Sequence, residues 1–197
     1  MILATGARPR TLGIAREEEL VGSGVGYCAV CDGAFFKDQI VAVNGGGNSA
    51  LQDALLLSET CSRVYLIHRR DRFRGEEKLV EALRGKKNVE FVLNAAVAEL
   101  LGEEELKGIV VEQNGERRWI ELNGLFVAIG HEPDNTAFRN MVKLDAGGYV
   151  SAGEDCMTGT AGVFVAGDCR SKKVRQVATA VADGAVAALA ACAWLEH

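Results

Sequence analysis

Ile40-Val41-Ala42-Val43-Asn44-Gly45-Gly46-Gly47-Asn48-Ser49-Ala50 is the stretch that decides the fold. Four apolar residues have the pattern of a buried strand, three glycines form a tight turn, and an apolar-periodic segment from Ser49 to Glu59 reads as a helix. Glycines at a strand–helix junction let the backbone turn sharply and approach a pyrophosphate, whose charge the free N–H groups of the helix start stabilise. Gly45, Gly47 and Ala50 occupy the defining places of a G-x-G-x-x-A pattern, with Asn48 and Ser49 opening the helix. A lone pattern of this form is weak evidence, but here strand, turn and helix fall in the required order. Asn44 departs from the scheme, a polar residue ending an otherwise apolar strand.

Working outward, Arg63 to Ile67 is the next strand, Glu76 to Arg84 a helix and Val89 to Leu93 a third strand, which makes a βαβαβ unit. Dinucleotide binders that take NAD place an Asp or Glu at the end of the second strand, about 20 residues past the glycines, to bond the ribose hydroxyls. This sequence reads His68-Arg69-Arg70-Asp71-Arg72-Phe73-Arg74 there, a cluster of cations where a carboxylate would repel a 2′-phosphate. The expected nucleotide is therefore NADPH, held by His68, Arg69, Arg70 and Arg74. An arginine run is more often a solvated turn, but its register with the glycine turn favours the phosphate.

Upstream lies Cys28-Ala29-Val30-Cys31-Asp32-Gly33. A Cys-x-x-Cys pair brings two sulfurs within reach of a disulfide and can lower one thiol's pKa for exchange. A structural zinc site would need two further ligands at similar spacing, which neither the other cysteines nor His68, His131 and His197 supply, so no metal is expected. Asp32, beside the second sulfur, is a candidate proton donor and acceptor. Cys61, Cys156, Cys169 and Cys192 are scattered and read as reduced structural thiols.

The rest of the chain is organised around this unit. Met1 to Thr5 is a strand-like run and Ala7 to Gly26 an irregular connector. Runs around Val97–Leu101, Gly108–Glu112 and Arg118–Ile120, with Asn114-Gly115 as a hairpin signal, predict a small antiparallel meander. Gly124 to Ile129 returns to a buried strand, Gly162 to Ala166 is another, and an Ala-rich helix runs from about Val174 to Trp194. Leu195-Glu196-His197 reads as the scar of an expression tag. With 48% hydrophobic and 25% charged residues, 23 glycines and two prolines, the composition is that of an ordered, soluble α/β protein. A net charge of -5 argues against nucleic acid as a partner. No apolar run reads as long enough to span a bilayer and no signal-peptide pattern is found, so no membrane is expected and the cytoplasm is the default compartment.

Taken together, Ala4-Thr5-Gly6-Ala7, Cys28 to Gly33, Gly45 to Ala50, His68 to Arg74, Phe126 to His131, and Gly162 to Asp168 with Arg175-Gln176 resemble the low-molecular-weight bacterial thioredoxin reductases over nearly the whole chain. Flavoprotein subunits of alkyl hydroperoxide reductase carry similar motifs, but with Pro-His rather than Ala-Val between the cysteines. The resemblance implies a Rossmann-like NAD(P)-binding domain of three-layer ββα character with a small β-meander, plus a C-terminal piece of an FAD domain. It implies boundaries at residues 1–12 (end of a first FAD segment and hinge), 13–131 (NADPH domain with the redox pair), 132–194 (second FAD segment) and 195–197 (tag scar). Ile129 and Gly130 join the nucleotide site by resemblance, and Asp168, Arg175, Gln176 and Val177 are similar to residues that contact FAD.

The activity implied is thioredoxin-disulfide reduction, with electrons passing from NADPH through FAD to Cys28–Cys31 and on to thioredoxin or a thioredoxin-like protein. Cys31 would face the flavin, Cys28 would attack the partner disulfide, and Asp32 would move the proton. The resemblance also implies a homodimer for the complete enzyme. An FAD-type glycine fingerprint ahead of Ala4 is missing, so the chain reads as truncated, and FAD is expected to be absent or weakly held. The competing readings are a non-catalytic NADPH-binding module and a reductase for another disulfide or peroxide-reducing partner.

Overall fold

The computed structural model describes residues 1–196. The chain divides into two compact units, one of residues 10–130 and one that joins residues 1–9 to the segment from His131 onward.

The first unit is built on a five-stranded parallel sheet. In chain order its strands are β3 (Val25–Gly26), β4 (Ile40–Asn44), β5 (Arg63–His68), β6 (Val89–Leu93) and β10 (Gly124–Val127), arranged as β3-β10-β4-β5-β6. Helix α1 (Ala29–Asp32) follows β3, α2 (Asn48–Ser58) follows β4, and α3 (Glu77–Arg84) follows β5. The strands read as continuous apolar runs because both sheet faces are covered. On one face Val41, Val43, Val64 and Leu66 pack against Ala50, Leu51, Ala54 and Leu57 of α2 and Val80 and Leu83 of α3. On the other, Ala42, Tyr65, Ile67 and Leu125 pack against a three-stranded antiparallel meander. Its strands are β7 (Ala95–Leu101), β8 (Gly108–Gln113) and β9 (Glu116–Glu121). The three layers ββα expected from the sequence are thus present. The β8–β9 turn takes positive φ at both Asn114 (53°) and Gly115 (84°), which matches the strand twist and explains the Asn-Gly pair.

In the second unit, β1 (Ile2–Leu3) pairs in parallel with β12 (Phe164–Val165), and β2 (Ala7–Pro9) pairs antiparallel with β11 (His131–Pro133). Its core holds Leu3, Val142, Val150, Val163, Val165 and Cys169. Helix α4 (Val177–Leu195) closes the unit by packing its Ala187 with Cys156, Phe164 and Ala166. Of the three terminal residues, Leu195 ends α4, Glu196 follows as its cap, and His197 lies outside the described residues.

Three sequence expectations need correction. The connector from Ala7 to Gly26 contains β2 and β3, strands of three and two residues that are too short to show a periodicity of their own. The last helix begins at Val177 rather than Val174, because Gln176 and Thr179 close a capping box there. By length and composition alone α4 is long and apolar enough to cross a membrane, contrary to the absence of such a run read from the sequence, since its 19 residues hold one charge. That charge, Asp183, is buried in an ion cluster with Arg170 and Lys172.

Candidate functional site

The glycine turn follows β4 directly. Gly45 and Gly46 are glycines for reasons of space: a Cβ on Gly45 would meet the Ala128 carbonyl and the Ala50 methyl, and one on Gly46 would run into the His68 ring. Ala50 is fully buried, with its methyl packed at Gly45. Gly47 caps α2 with no side-chain hydrogen bond to the first turn, so the helix-start N–H groups stay available for an anion. Ser49 is exposed on that first turn. Asn48 is committed elsewhere, its side chain donating to Glu76 Oε1 at 2.9 Å and accepting from Glu76 N at 2.8 Å, which ties α2 to the start of α3.

A cavity of about 390 Å³ opens over this turn. Gly45, Gly46, His68, Arg69, Arg74 and Ile129 line it, so the structure brings these predicted residues together. Arg70 is exposed and does not line the cavity, while its carbonyl accepts from Asn94 N at 3.2 Å. Gly130 takes φ 115° and its carbonyl receives Arg10 N at 2.9 Å. Sequence reasoning missed Arg10, Thr11 and Leu12, which line the cavity from the connector, and Ala95 to Val97, which line it from the meander. Asn44 also lines it, and its polarity at the end of an apolar strand was the available signal.

His68 ends β5 and is buried, with its Nε2 3.1 Å from the Arg72 carbonyl. A carbonyl can only accept, so Nε2 carries the hydrogen. Burial pushes the imidazole below its ordinary pKa, and Arg74, Arg70 and Arg69 push the same way, against the Arg72 bond. Burial and the three cations thus both disfavour protonation of this ring.

Cys28 and Cys31 are joined by a disulfide, with Cα atoms 5.3 Å apart. Cys28 is half-buried and caps α1, its Sγ accepting from Cys31 N at 3.1 Å, while Cys31 is exposed. The Asp32 carboxylate sits against Gly26, where an added methyl would lie 3.4 Å from Oδ2. Val30, between the two cysteines, and Phe35, four residues beyond Cys31, are 67% and 79% exposed. Cys61, Cys156, Cys169 and Cys192 are free, with Cys192 exposed and the other three buried. Among the described residues no group of three or more His, Cys, Asp or Glu could hold a metal ion.

In the other unit, Asp168 Oδ1 is buried without a hydrogen-bond partner. Arg175 lies 3.9 Å over the Tyr149 ring and donates to the Asp168 carbonyl at 3.3 Å. Gln176 is the N-cap of α4, and Val177 is 79% exposed. Burial lowers the pKa of His131, and nearby Arg175 lowers it further while Asp168 opposes.

Comparison with known proteins follows the same lines. The chain is 45% identical over 192 residues to a thioredoxin reductase from Mycoplasma pneumoniae, covering 96% of this chain and 61% of the relative. Its fold is similar to the crystal structure of thioredoxin reductase from Streptococcus pyogenes, with a TM-score of 0.92 at 35% identity over 99% of this chain and 65% of that one. A thioredoxin reductase from Giardia duodenalis gives a TM-score of 0.90 at 33% identity, over 100% of this chain and 65% of that one. The chain therefore spans about three fifths of the length of the curated relative, at 61%. The family model described as pyridine nucleotide-disulphide oxidoreductase matches residues 1–184. With the glycine turn, the basic loop and the disulfide all in place within that match, the chain belongs to the pyridine nucleotide-disulphide oxidoreductase family.

Proposed function

We propose that this chain provides the nucleotide and disulfide parts of an NADPH-dependent thioredoxin-disulfide reductase. One observation carries the reading: a single unit holds both an accessible Cys28–Cys31 disulfide and a cavity in which a glycine turn meets Arg69 and Arg74. The similarity to proteins named thioredoxin reductase supports thioredoxin, or a protein like it, as the partner.

The chain's own residues divide the work. Gly46 to Ser49 present backbone N–H groups to the pyrophosphate, the Gly45 N–H being donated to the Ile67 carbonyl, and Arg69 and Arg74 meet the 2′-phosphate, with Arg70 nearby as an exposed cation. Once Cys28 and Cys31 are reduced, the Cys28 thiolate attacks the partner disulfide and a mixed disulfide forms as one partner sulfur leaves as thiolate. Cys31 then attacks Cys28 Sγ, which restores the intramolecular bond and releases the second partner sulfur. Two electrons pass from the dithiol to the partner, and Asp32 carries the accompanying proton from Cys31. Val30 and Phe35 give the partner an apolar landing beside the sulfurs.

FAD, when bound, supplies two-electron transfer between a nicotinamide and a disulfide. The residues present fit such a group: the unpartnered, buried Oδ1 of Asp168 suits a ribityl hydroxyl, and Arg175 stands beside it, held over Tyr149. Gln176 and Val177 stand next to these at the start of α4.

Calorimetric titration with NADPH and NADH tests the nucleotide assignment. Each charge-assisted bond to the 2′-phosphate contributes about 1.5–3 kcal/mol, so NADPH binds at least tenfold more tightly, by roughly 1.4 kcal/mol or more. Equal affinities overturn the assignment.

A further inference from the structure

We propose that His68 is a positioning residue that sets the preference for a 2′-phosphorylated nucleotide, by bracing the basic loop against the glycine turn. This deepens the nucleotide reading above and rests on it. His68 is 5% exposed, so it offers a ligand almost no surface of its own. What it touches is the cradle. One side of its ring lies against Gly46, so closely that no Cβ fits there, and another stacks on Phe73 with ring centroids 5.2 Å apart and planes 21° from parallel. Phe73 in turn packs on Phe91 of β6 at 5.6 Å.

The loop that carries the arginines is closed around this ring. Nε2 of His68 donates to the Arg72 carbonyl at 3.1 Å, while Arg74 N and Gly75 N donate to the Gly46 carbonyl at 2.7 and 3.2 Å. Gly46 and the 72–75 segment are therefore fastened to each other and to one imidazole. The pyrophosphate site and the 2′-phosphate site become one rigid piece, with Arg69 and Arg74 directed along the same cavity. Histidine meets both demands at once, with a flat ring thin enough for Gly46 and a donor placed for a carbonyl. Phenylalanine keeps the first and loses the second; glutamine keeps a donor and loses the stacking face.

The arrangement has a spectroscopic signature. The charged groups that face His68 are Arg69, Arg70 and Arg74, and all three oppose a further positive charge on the ring. A 2′-phosphate bound among them offsets that repulsion, so the titration midpoint of His68 rises on NADPH binding and much less on NADH binding. A residue that merely filled the core would report neither nucleotide selectively.

The test compares the parent chain with His68→Phe and His68→Gln, measuring NADPH and NADH dissociation constants by calorimetry, and follows histidine ring protons of the parent by NMR titration with each nucleotide. His68→Phe is expected to weaken NADPH about tenfold, the loss of one charge-directing hydrogen bond, while NADH changes less than about threefold and His68→Gln falls between. If the parent itself does not prefer NADPH, the nucleotide reading fails and not the brace. If the parent prefers NADPH but both variants keep the full preference, the brace is wrong. The NMR titration needs no folded variant for its outcome: a His68 midpoint moved equally by both nucleotides, or by neither, also overturns the proposal.

Discussion

The phenol of Tyr27, the residue before Cys28, donates a 3.0 Å hydrogen bond to Oε1 of Glu17, a carboxylate only 3% exposed. The same carboxylate accepts Leu12 N and Gly13 N, each at 2.9 Å. One buried side chain thus fastens the connector beside the nucleotide cavity to the strand that delivers the disulfide. Replacing Glu17 with Ala strands two backbone donors and a phenol, at about 1–3 kcal/mol each where water cannot reach them. Tyr27→Phe leaves both backbone bonds intact and costs about 1 kcal/mol. Urea unfolding of the two variants checks the order; equal losses would mean that the carboxylate does not anchor the connector. Burial, reinforced by Glu17, also pushes the Tyr27 hydroxyl up to about 12, so its tyrosinate absorbance appears well above the ordinary range and moves only part of the way back in Glu17→Ala, where burial still acts.

Asp53 on α2 is pushed up to about 6 by burial. Its folded pKa is above the unfolded value, so the folded state binds the proton more tightly. The benefit is present below the unfolded value and is lost as pH rises from about 4 through about 6. Asp53→Asn should be more stable than the parent at pH about 8 by about 1–2 kcal/mol, with the advantage vanishing near pH about 4. Denaturant midpoints at both pH values decide it, and a pH-independent difference contradicts it.

Arg170 is 1% exposed and meets both oxygens of Asp183, at 2.8 and 2.9 Å, while Lys172 reaches Asp183 at 2.8 Å. The hydrogen bond from Arg170, helped by Lys172 and Gly167 N, holds the Asp183 carboxyl far below the usual carboxylate range. Its folded pKa is depressed, so its contribution is complete above the unfolded value and is lost as pH falls below about 4. Asp183→Asn leaves two buried cations short of a partner and should cost about 3–5 kcal/mol at neutral pH. The variant should also show a shallower loss of stability on acidification, read from thermal unfolding across the acid range.

How much of this was legible in the sequence depended on whether a residue's role is local. The Gly45–Ala50 turn, the meander with Asn114-Gly115 and the basic loop were readable because backbone sterics and charge dictate their residue types at close range. The cavity's other wall was not, since Arg10 to Leu12 and Ala95 to Val97 reach it only through tertiary folding. Asn48 and Ala50 fit the binding pattern by position, yet one holds Glu76 and the other packs on Gly45. His68 was singled out by its place in the basic loop and lines the cavity, but the packing of its ring on Gly46 and Phe73 is a tertiary contact that no local pattern shows. The helix at Ala29–Asp32 left no periodicity to detect, having only four residues.

Disulfide exchange between this chain and thioredoxin isolates the Cys28–Cys31 step, because it needs neither nucleotide nor flavin. The chain is reduced with dithiothreitol, freed of reductant, mixed with oxidised thioredoxin, and both proteins are counted for thiols after acid quenching. The chain is expected to lose one pair of thiols, mapped to Cys28 and Cys31, as thioredoxin gains one pair; Cys28→Ser abolishes the transfer, and Cys31→Ser traps a mixed disulfide through Cys28. A reduced chain that keeps its thiols in the presence of oxidised thioredoxin, or one that holds stoichiometric zinc at the pair, would contradict it.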